Sequence, residues 1–156
     1  ESSIKIVNIR DLVSKVWQTI TPLAEQHQID LVLESSNAHP VMGNETLLHR
    51  ALLNLLENAL RFSPDKTEIK VKLQLEGRWQ RIEISDQGNG FRTEDLQHMF
   101  ERFYRGDPSR ARAQRVGSGL GLAIVQQIAI AHGGHIRARN NSGGSALLVL
   151  SLPVSP

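Results

Sequence analysis

Asn54 and Asn58 stand four residues apart in "NLLENALRFSP" (residues 54–64), with Glu57 and Arg61 at helical spacing around them. On a helix these polar groups share one face, while Leu48, Leu52, Leu55, Leu56 and Ala59 form a core-facing stripe. Each asparagine costs about half a kcal/mol against alanine there, because its amide competes for nearby backbone groups. A polar helix stripe is by default a solvated surface, but solvated faces favour Lys, Glu and Gln. Two amide oxygens beside an arginine suit a magnesium ion and a polyphosphate. Mg2+ takes few protein oxygens and leaves its other positions to water and phosphate.

Two glycine-bearing stretches carry related chemistry. "DQGNG" (86–90) follows an apolar strand that ends at Ser85. Its alternate glycines permit close approach of a ligand, and Asp86 is placed to accept a hydrogen bond, such as one from an adenine amino group. Taken alone it reads equally as a turn. "GSGLGLAIV" (117–125) opens an apolar helix, where free N–H groups and the helix dipole favour an anion. It is not a P-loop, which needs Gly-Lys-Ser/Thr. It is not a dinucleotide fingerprint either, because Leu122 stands at the third glycine and no strand precedes it. From Glu101 to Gly117 there are five arginines (102, 105, 110, 112, 115) against Glu101 and Asp107, a local net charge of +3. Arginine suits a phosphate undergoing transfer, while a solvated loop and a nucleic-acid patch are the other readings. The aromatics expected of a stacking surface are not interleaved there.

The elements that must position these groups follow from patterning. Asn8 caps a helix over 9–27, and "IDLVLES" (29–35) alternates as a strand. Val41-Met42 is a short extended piece, and Asn44 caps the asparagine helix, which Ser63-Pro64 ends near Phe62. "EIKVKLQLE" (68–76) and "WQRIEIS" (79–85) make a hairpin; a helical piece near 93–103 precedes a long polar lid. A helix over 120–132 stops at Gly133-Gly134, and "HIRARN" and "SALLVLSL" form a second hairpin. This order predicts an α/β fold: a two-layer sandwich whose mixed, mostly antiparallel sheet is covered on one face by three helices.

Composition sets outer bounds. The 156 residues make one domain with a real core, and 40% apolar with 22% charged residues is ordinary for a globular protein. No apolar run reaches the ~18 residues of a membrane span. There is no cysteine, hence no disulfide and no thiolate metal site. The net charge of +2 does not imply a nucleic-acid partner.

The chain resembles a known family along essentially its whole length. "NLLENALRFSP", "DQGNG", "FERFYR" (100–105), "GSGLGLAIV" and "GGS" (143–145) are similar, in order and spacing, to the N, G1, F, G2 and G3 boxes of bacterial sensor histidine kinases. The resemblance implies a Bergerat-type ATP-binding fold with a long ATP lid, and ATP and Mg2+ as cofactors. It implies that Asn58 ligates magnesium with Asn54 assisting, that Arg61 reaches the phosphates, and that Phe62 packs on adenine. Asp86 would accept from the adenine amino group, in a pocket shaped by Gly88 and Gly90. Arg102 and Arg105 would face the γ-phosphate, with Phe100 and Phe103 anchoring the lid. Asn54, Asn58, Arg61, Arg102 and Arg105 form the implied catalytic set. Phe91, Tyr104, Gly117, Ser118, Gly119, Leu120, Gly121, Leu122 and Ser145 complete the implied nucleotide contacts. Arg61 stands where Lys is frequent and Ser145 where Thr is usual.

In the hydrolysing relatives a glutamate four residues before the magnesium asparagine activates water. Asn54 holds that position here, and an amide is no general base. Glu57 lies one residue before Asn58 and is the weaker candidate. None of the six histidines is followed by Glu or Asp as in an acceptor motif, so the phosphoacceptor and sensor domains are expected outside residues 1–156. The expected function is transfer of the γ-phosphoryl group of Mg-ATP to a histidine on that separate dimerisation domain, in two-component signalling. A cognate response regulator follows. The isolated domain is expected to be monomeric and to bind ATP without autophosphorylating. The full-length protein is expected to be a homodimer, with this domain on the cytoplasmic side of a bacterial inner membrane. A serine kinase of the anti-sigma type, a nucleotide-binding regulatory module and a nucleic-acid binder are the alternatives.

Overall fold

The computed structural model describes residues 3–104 and 121–155. Elements run β1 (Lys5–Val7), α1 (Ile9–Gln26), β2 (Asp30–Ser35), β3 (Val41–Gly43), α2 (Glu45–Phe62), β4 (Glu68–Glu76) and β5 (Trp79–Ser85). They continue with α3 (Thr93–His98), α4 (Gly121–Ala131), β6 (His135–Asn140) and β7 (Ala146–Pro153).

Local chemistry fixes the long helices. The Asn8 side chain accepts from Asp11 N at 3.1 Å and the Asn44 side chain from Leu47 N at 3.0 Å, each satisfying a backbone donor that a first turn leaves unpaired. α2 stops where Pro64 forces Ser63 into extended backbone, and the Ser63 hydroxyl donates back to Ala59 O at 2.7 Å.

The main sheet has strand order β2-β4-β5-β7-β6, parallel between β2 and β4 and antiparallel elsewhere. Alternation decides what faces inward. Val71 opposes Ile84, Leu73 opposes Ile82, and Ile82 in turn opposes Leu150, all of them buried. The buried sides of α1, α2 and α4 pack onto that face, making the two-layer sandwich. Leu48, Leu52, Leu55, Leu56 and Ala59 of α2 are all buried, as the stripe required.

Three features differ from the sequence reading. Lys5–Val7 forms a strand that patterning did not reveal, because three residues are too few to show a period. It pairs antiparallel with β3 in a separate two-stranded ribbon. The helical piece near 93–103 is regular only over Thr93–His98.

α4 is fastened to α2 near both ends. At its start Asn54 Nδ2 donates to Gly121 O at 3.3 Å. Just past its end, His132 places Nε2 3.1 Å from Asn44 N and Nδ1 2.8 Å from Ile128 O. A carbonyl only accepts and an amide N–H only donates, so Nδ1 carries the proton and Nε2 is the bare acceptor.

Leu56 is 0% exposed at the centre of this packing. Leu56→Ala should therefore cost about 2–5 kcal/mol of unfolding free energy. The check is urea denaturation, with the midpoint lowered at unchanged slope.

Candidate functional site

The polar face of α2 is not a solvated one. Asn58 is only 6% exposed, and Asn54, Glu57 and Arg61 are half-buried. Burial pushes the Glu57 carboxyl above its ordinary value, and the nearby Arg61 charge opposes that rise. The Arg61 guanidinium lies 5.1 Å from the centre of the Phe62 ring.

The loop after β5 meets this end of α2. Asp86 is 6% exposed, and its Oδ1 accepts from Gly88 N at 2.8 Å, closing a tight turn. Gly88 sits so close to α2 that a Cβ there would lie 2.4 Å from the backbone oxygen of Phe62. Gly90 has φ +79°, and a Cβ on it would lie 2.1 Å from Gly144 O. Both glycines are thus demanded by contact with neighbouring backbone. The Phe62 and Phe91 rings meet edge to face, 6.5 Å between centres.

The turn between β6 and β7 supports the loop from the other side. The Asn140 amide accepts from Phe91 N at 2.7 Å and donates to Phe91 O at 2.9 Å. Ser145 Oγ accepts from Asn141 Nδ2 at 3.0 Å. Leu122 packs partly buried against the core, and Gly121 faces Asn54, whose Cγ would lie 3.7 Å from a Cβ at that glycine.

Four sequence stretches far apart in the chain thus converge: the end of α2, the loop at 86–91, the turn at 141–145 and the start of α4. A buried carboxylate, Asp86, and a buried amide, Asn58, are thereby carried on neighbouring stretches of backbone. Among the described residues, no group of three or more His, Cys, Asp or Glu could hold a metal. The donors at hand are the amides of Asn54 and Asn58, which fit magnesium only when phosphate and water complete its shell.

Residues 43–156 match the family of histidine kinase-, DNA gyrase B-, and HSP90-like ATPases. The chain belongs to that ATPase family. It is 39% identical over 159 residues to the sensor protein SphS of Synechococcus elongatus, an alignment that takes in 98% of this chain and 38% of that protein. It is 38% identical over 149 residues to the sensor histidine kinase CusS of Escherichia coli K12, taking in 96% of this chain and 30% of that protein. The chain therefore spans less than two-fifths of the length of either relative. The mycobacterial sensor histidine kinase MprB superimposes with TM-score 0.84 at 28% identity, covering 99% of both chains. ShkA, solved at full length with AMPPNP, gives TM-score 0.81 at 25% identity, covering 99% of this chain and 32% of that one. The fold is the α/β sandwich of the histidine kinase catalytic domains.

The remaining expected site residues of this ATPase domain do not all fall among the described residues. Arg105, Gly117, Ser118, Gly119 and Leu120 fall outside the described residues. Arg102 is not brought into the cluster by any contact among the described residues; its guanidinium lies 5.4 Å from the centre of the Phe103 ring. Phe103 is 66% exposed with φ +65°, a strained conformation for an aromatic residue. Phe100 and Tyr104 pack partly buried against the core.

Asp95 and Asn140 were missed by sequence reasoning. Asp95 is 2% exposed, accepts from the Tyr104 hydroxyl at 2.5 Å and lies 3.6 Å from Arg92 Nε. It thereby ties Tyr104 to the start of α3. An acid in the first turn of so short a helix gave no warning of burial. Asn140 had a fainter signal: it shares strand parity with Ile136 and Ala138, the core-facing side of β6.

The hydrogen bond to Asp95 raises the Tyr104 hydroxyl pKa above its usual 10.0, with desolvation adding to the shift. The folded chain holds that proton more tightly than the unfolded one. The stability difference between wild type and Tyr104→Phe should be constant below the usual tyrosine value of 10.0 and shrink as pH rises beyond it. Urea midpoints of both proteins across that range check this; a difference that grows with alkalinity would contradict it.

Proposed function

We propose that this ATPase domain binds Mg-ATP and donates its γ-phosphoryl group to a histidine on a separate dimerisation and phosphoacceptor domain, in two-component signal transduction. The observation that carries this is the convergence of buried Asn58 with buried Asp86 across the Gly88–Phe62 backbone contact. Such a site receives a base at one end and a hydrated ion at the other. The AMPPNP in ShkA, which shares the fold, supports a triphosphate as the ligand.

The residues divide the work. Asp86 accepts from the adenine amino group, and Phe62 and Phe91 wall the base. Asn58, with Asn54, supplies amide oxygens to magnesium, which neutralises phosphate charge when bound. Arg61, beside Glu57, offers a cation to the phosphates. Arg102 and Arg105 face the γ-phosphate once the lid closes, and the N–H groups of residues 117–122 receive the remaining phosphate charge. Ser145 stands beside the base pocket. Catalysis is then chiefly positioning and charge stabilisation.

Asn54 accounts for transfer rather than rapid hydrolysis. It cannot take a proton from water, and its Nδ2 is committed to Gly121 O at 3.3 Å. In this reading residues 1–156 are one catalytic domain, monomeric when isolated. The parent is a homodimeric membrane sensor that holds this domain in the cytoplasm and passes phosphoryl to a response regulator. Among the described residues no helix is long and apolar enough to cross a membrane.

Asn58→Ala should abolish the magnesium-dependent part of ATP affinity, and Asp86→Asn should weaken adenine nucleotides at least about tenfold by removing a charge-assisted acceptor. Calorimetric titration with and without magnesium checks both. With a supplied acceptor domain, the wild type should yield acid-labile phosphohistidine, and the chain alone should yield none. Acid-stable phosphoserine would overturn the assignment of the acceptor.

A further inference from the structure

The start of the loop at 86–91 meets the sheet directly: Gln87 Oε1 accepts from Glu68 N at 2.7 Å, and Ala146 O accepts, at 3.4 Å, from the N–H of Asp86. The Asp86 Oδ1 bonds within its own turn, to Gly88 N. The tie at the far end of the loop comes from Asn140, the last residue of β6, on a strand separated from the loop by β7. One planar amide takes both polar groups of a single backbone unit, Phe91 N–H at 2.7 Å and Phe91 C=O at 2.9 Å. The neighbouring residue is pinned as well. Gly90, at φ +79°, lies so close to Asn140 that a Cβ would sit 2.7 Å from Asn140 Oδ1.

From these contacts we infer that Asn140 is the positioning residue for base selection: it fixes Phe91 and Gly90, and through them the distance and angle at which Asp86 meets the nucleobase. This rests on the reading of Asp86 as the adenine acceptor and adds to it the group that sets its selectivity. The physical argument is one of matching. A carboxylate accepts from the amino group of adenine but repels the carbonyl oxygen that guanine presents at the equivalent edge. Discrimination then depends on how rigidly the carboxylate is held. With the loop free to shift, Asp86 can retreat from a mismatched base or miss the correct one, and the two affinities draw together.

Asn140 suits the task because the pair of hydrogen bonds to the backbone of one residue resists both sliding and rotation of the loop. A carboxylate could satisfy only the N–H, and a hydroxyl would have to serve both partners through a single oxygen. Phe91, which it holds, also meets Phe62 edge to face at 6.5 Å. The clamp therefore sets an aromatic wall of the pocket as well as its acceptor.

Asn140→Ala removes both bonds, and Asn140→Asp keeps an acceptor for Phe91 N–H while turning the donor to Phe91 C=O into a second acceptor. Gln80→Ala is the stability control. Gln80 is 0% exposed, accepts from His39 N at 2.6 Å, and sits about 20 Å from Asp86 along β5. The readouts are calorimetric affinities for ATP and GTP with magnesium and, without nucleotide, hydrogen exchange at the Phe91 amide. In Asn140→Ala, ATP affinity and the ATP-to-GTP ratio should each fall by roughly tenfold, and Phe91 exchange should accelerate by a similar factor. Asn140→Asp should fall between it and the wild type. Gln80→Ala should leave all three readouts near wild type despite a lowered melting temperature. A wild-type ratio and wild-type Phe91 exchange in Asn140→Ala would overturn the inference, as would equal losses in Gln80→Ala. A wild-type chain that bound no ATP would sink the functional reading, while Phe91 exchange would still decide whether Asn140 holds the loop.

Discussion

The site depends on one close approach of two backbones. Gly88 lies under the carbonyl of Phe62 with no room for a side chain, since a Cβ would stand 2.4 Å from that oxygen. This contact brings the end of the asparagine helix and the end of a central strand within reach of one small molecule. The leucine stripe of α2 presses the helix onto the sheet at β5, and the strand order fixes where β5 ends. The core thus sets a distance, and the glycine lets two polar surfaces meet at it.

Around that contact the structure fastens its parts from several sides. Asn140 holds the loop from the β6 edge of the sheet, and Asn54 holds the first turn of α4 from α2. His132 repeats the fastening at the far end of α4 through the backbone of Asn44. Each tie is a side chain bonded to backbone, which fixes a main-chain position more tightly than apolar contact does. Asp95 adds a side-chain tie, accepting from the Tyr104 hydroxyl.

Much of this was legible in the sequence, and the gaps have physical causes. Strict alternation in "EIKVKLQLE" and the leucine spacing in α2 gave strand, helix and buried face correctly, because burial on one side imposes a period. The strand at Lys5–Val7 escaped because three residues carry no period. Asn58 was read on a polar face and is 6% exposed, since helical spacing shows which residues share a side but not what covers it. Gly88 and Gly90 drew notice as glycines; only the structure shows that backbone crowds them. Asn140, Asp95 and His132 act through a few specific hydrogen bonds that helix or strand periodicity does not register, and two of the partners, Phe91 for Asn140 and Asn44 for His132, are distant in sequence.

The central claim is that one nucleotide spans Asp86 and Asn58. The most direct test is a crystal structure of this chain with magnesium and a non-hydrolysable ATP analogue. The account predicts the adenine amino group within hydrogen-bond distance of the Asp86 carboxylate, and the ion bound to Asn58 Oδ1 and to phosphate oxygens. An analogue bound with its base away from Asp86, or an ion that Asn58 does not touch, would contradict it.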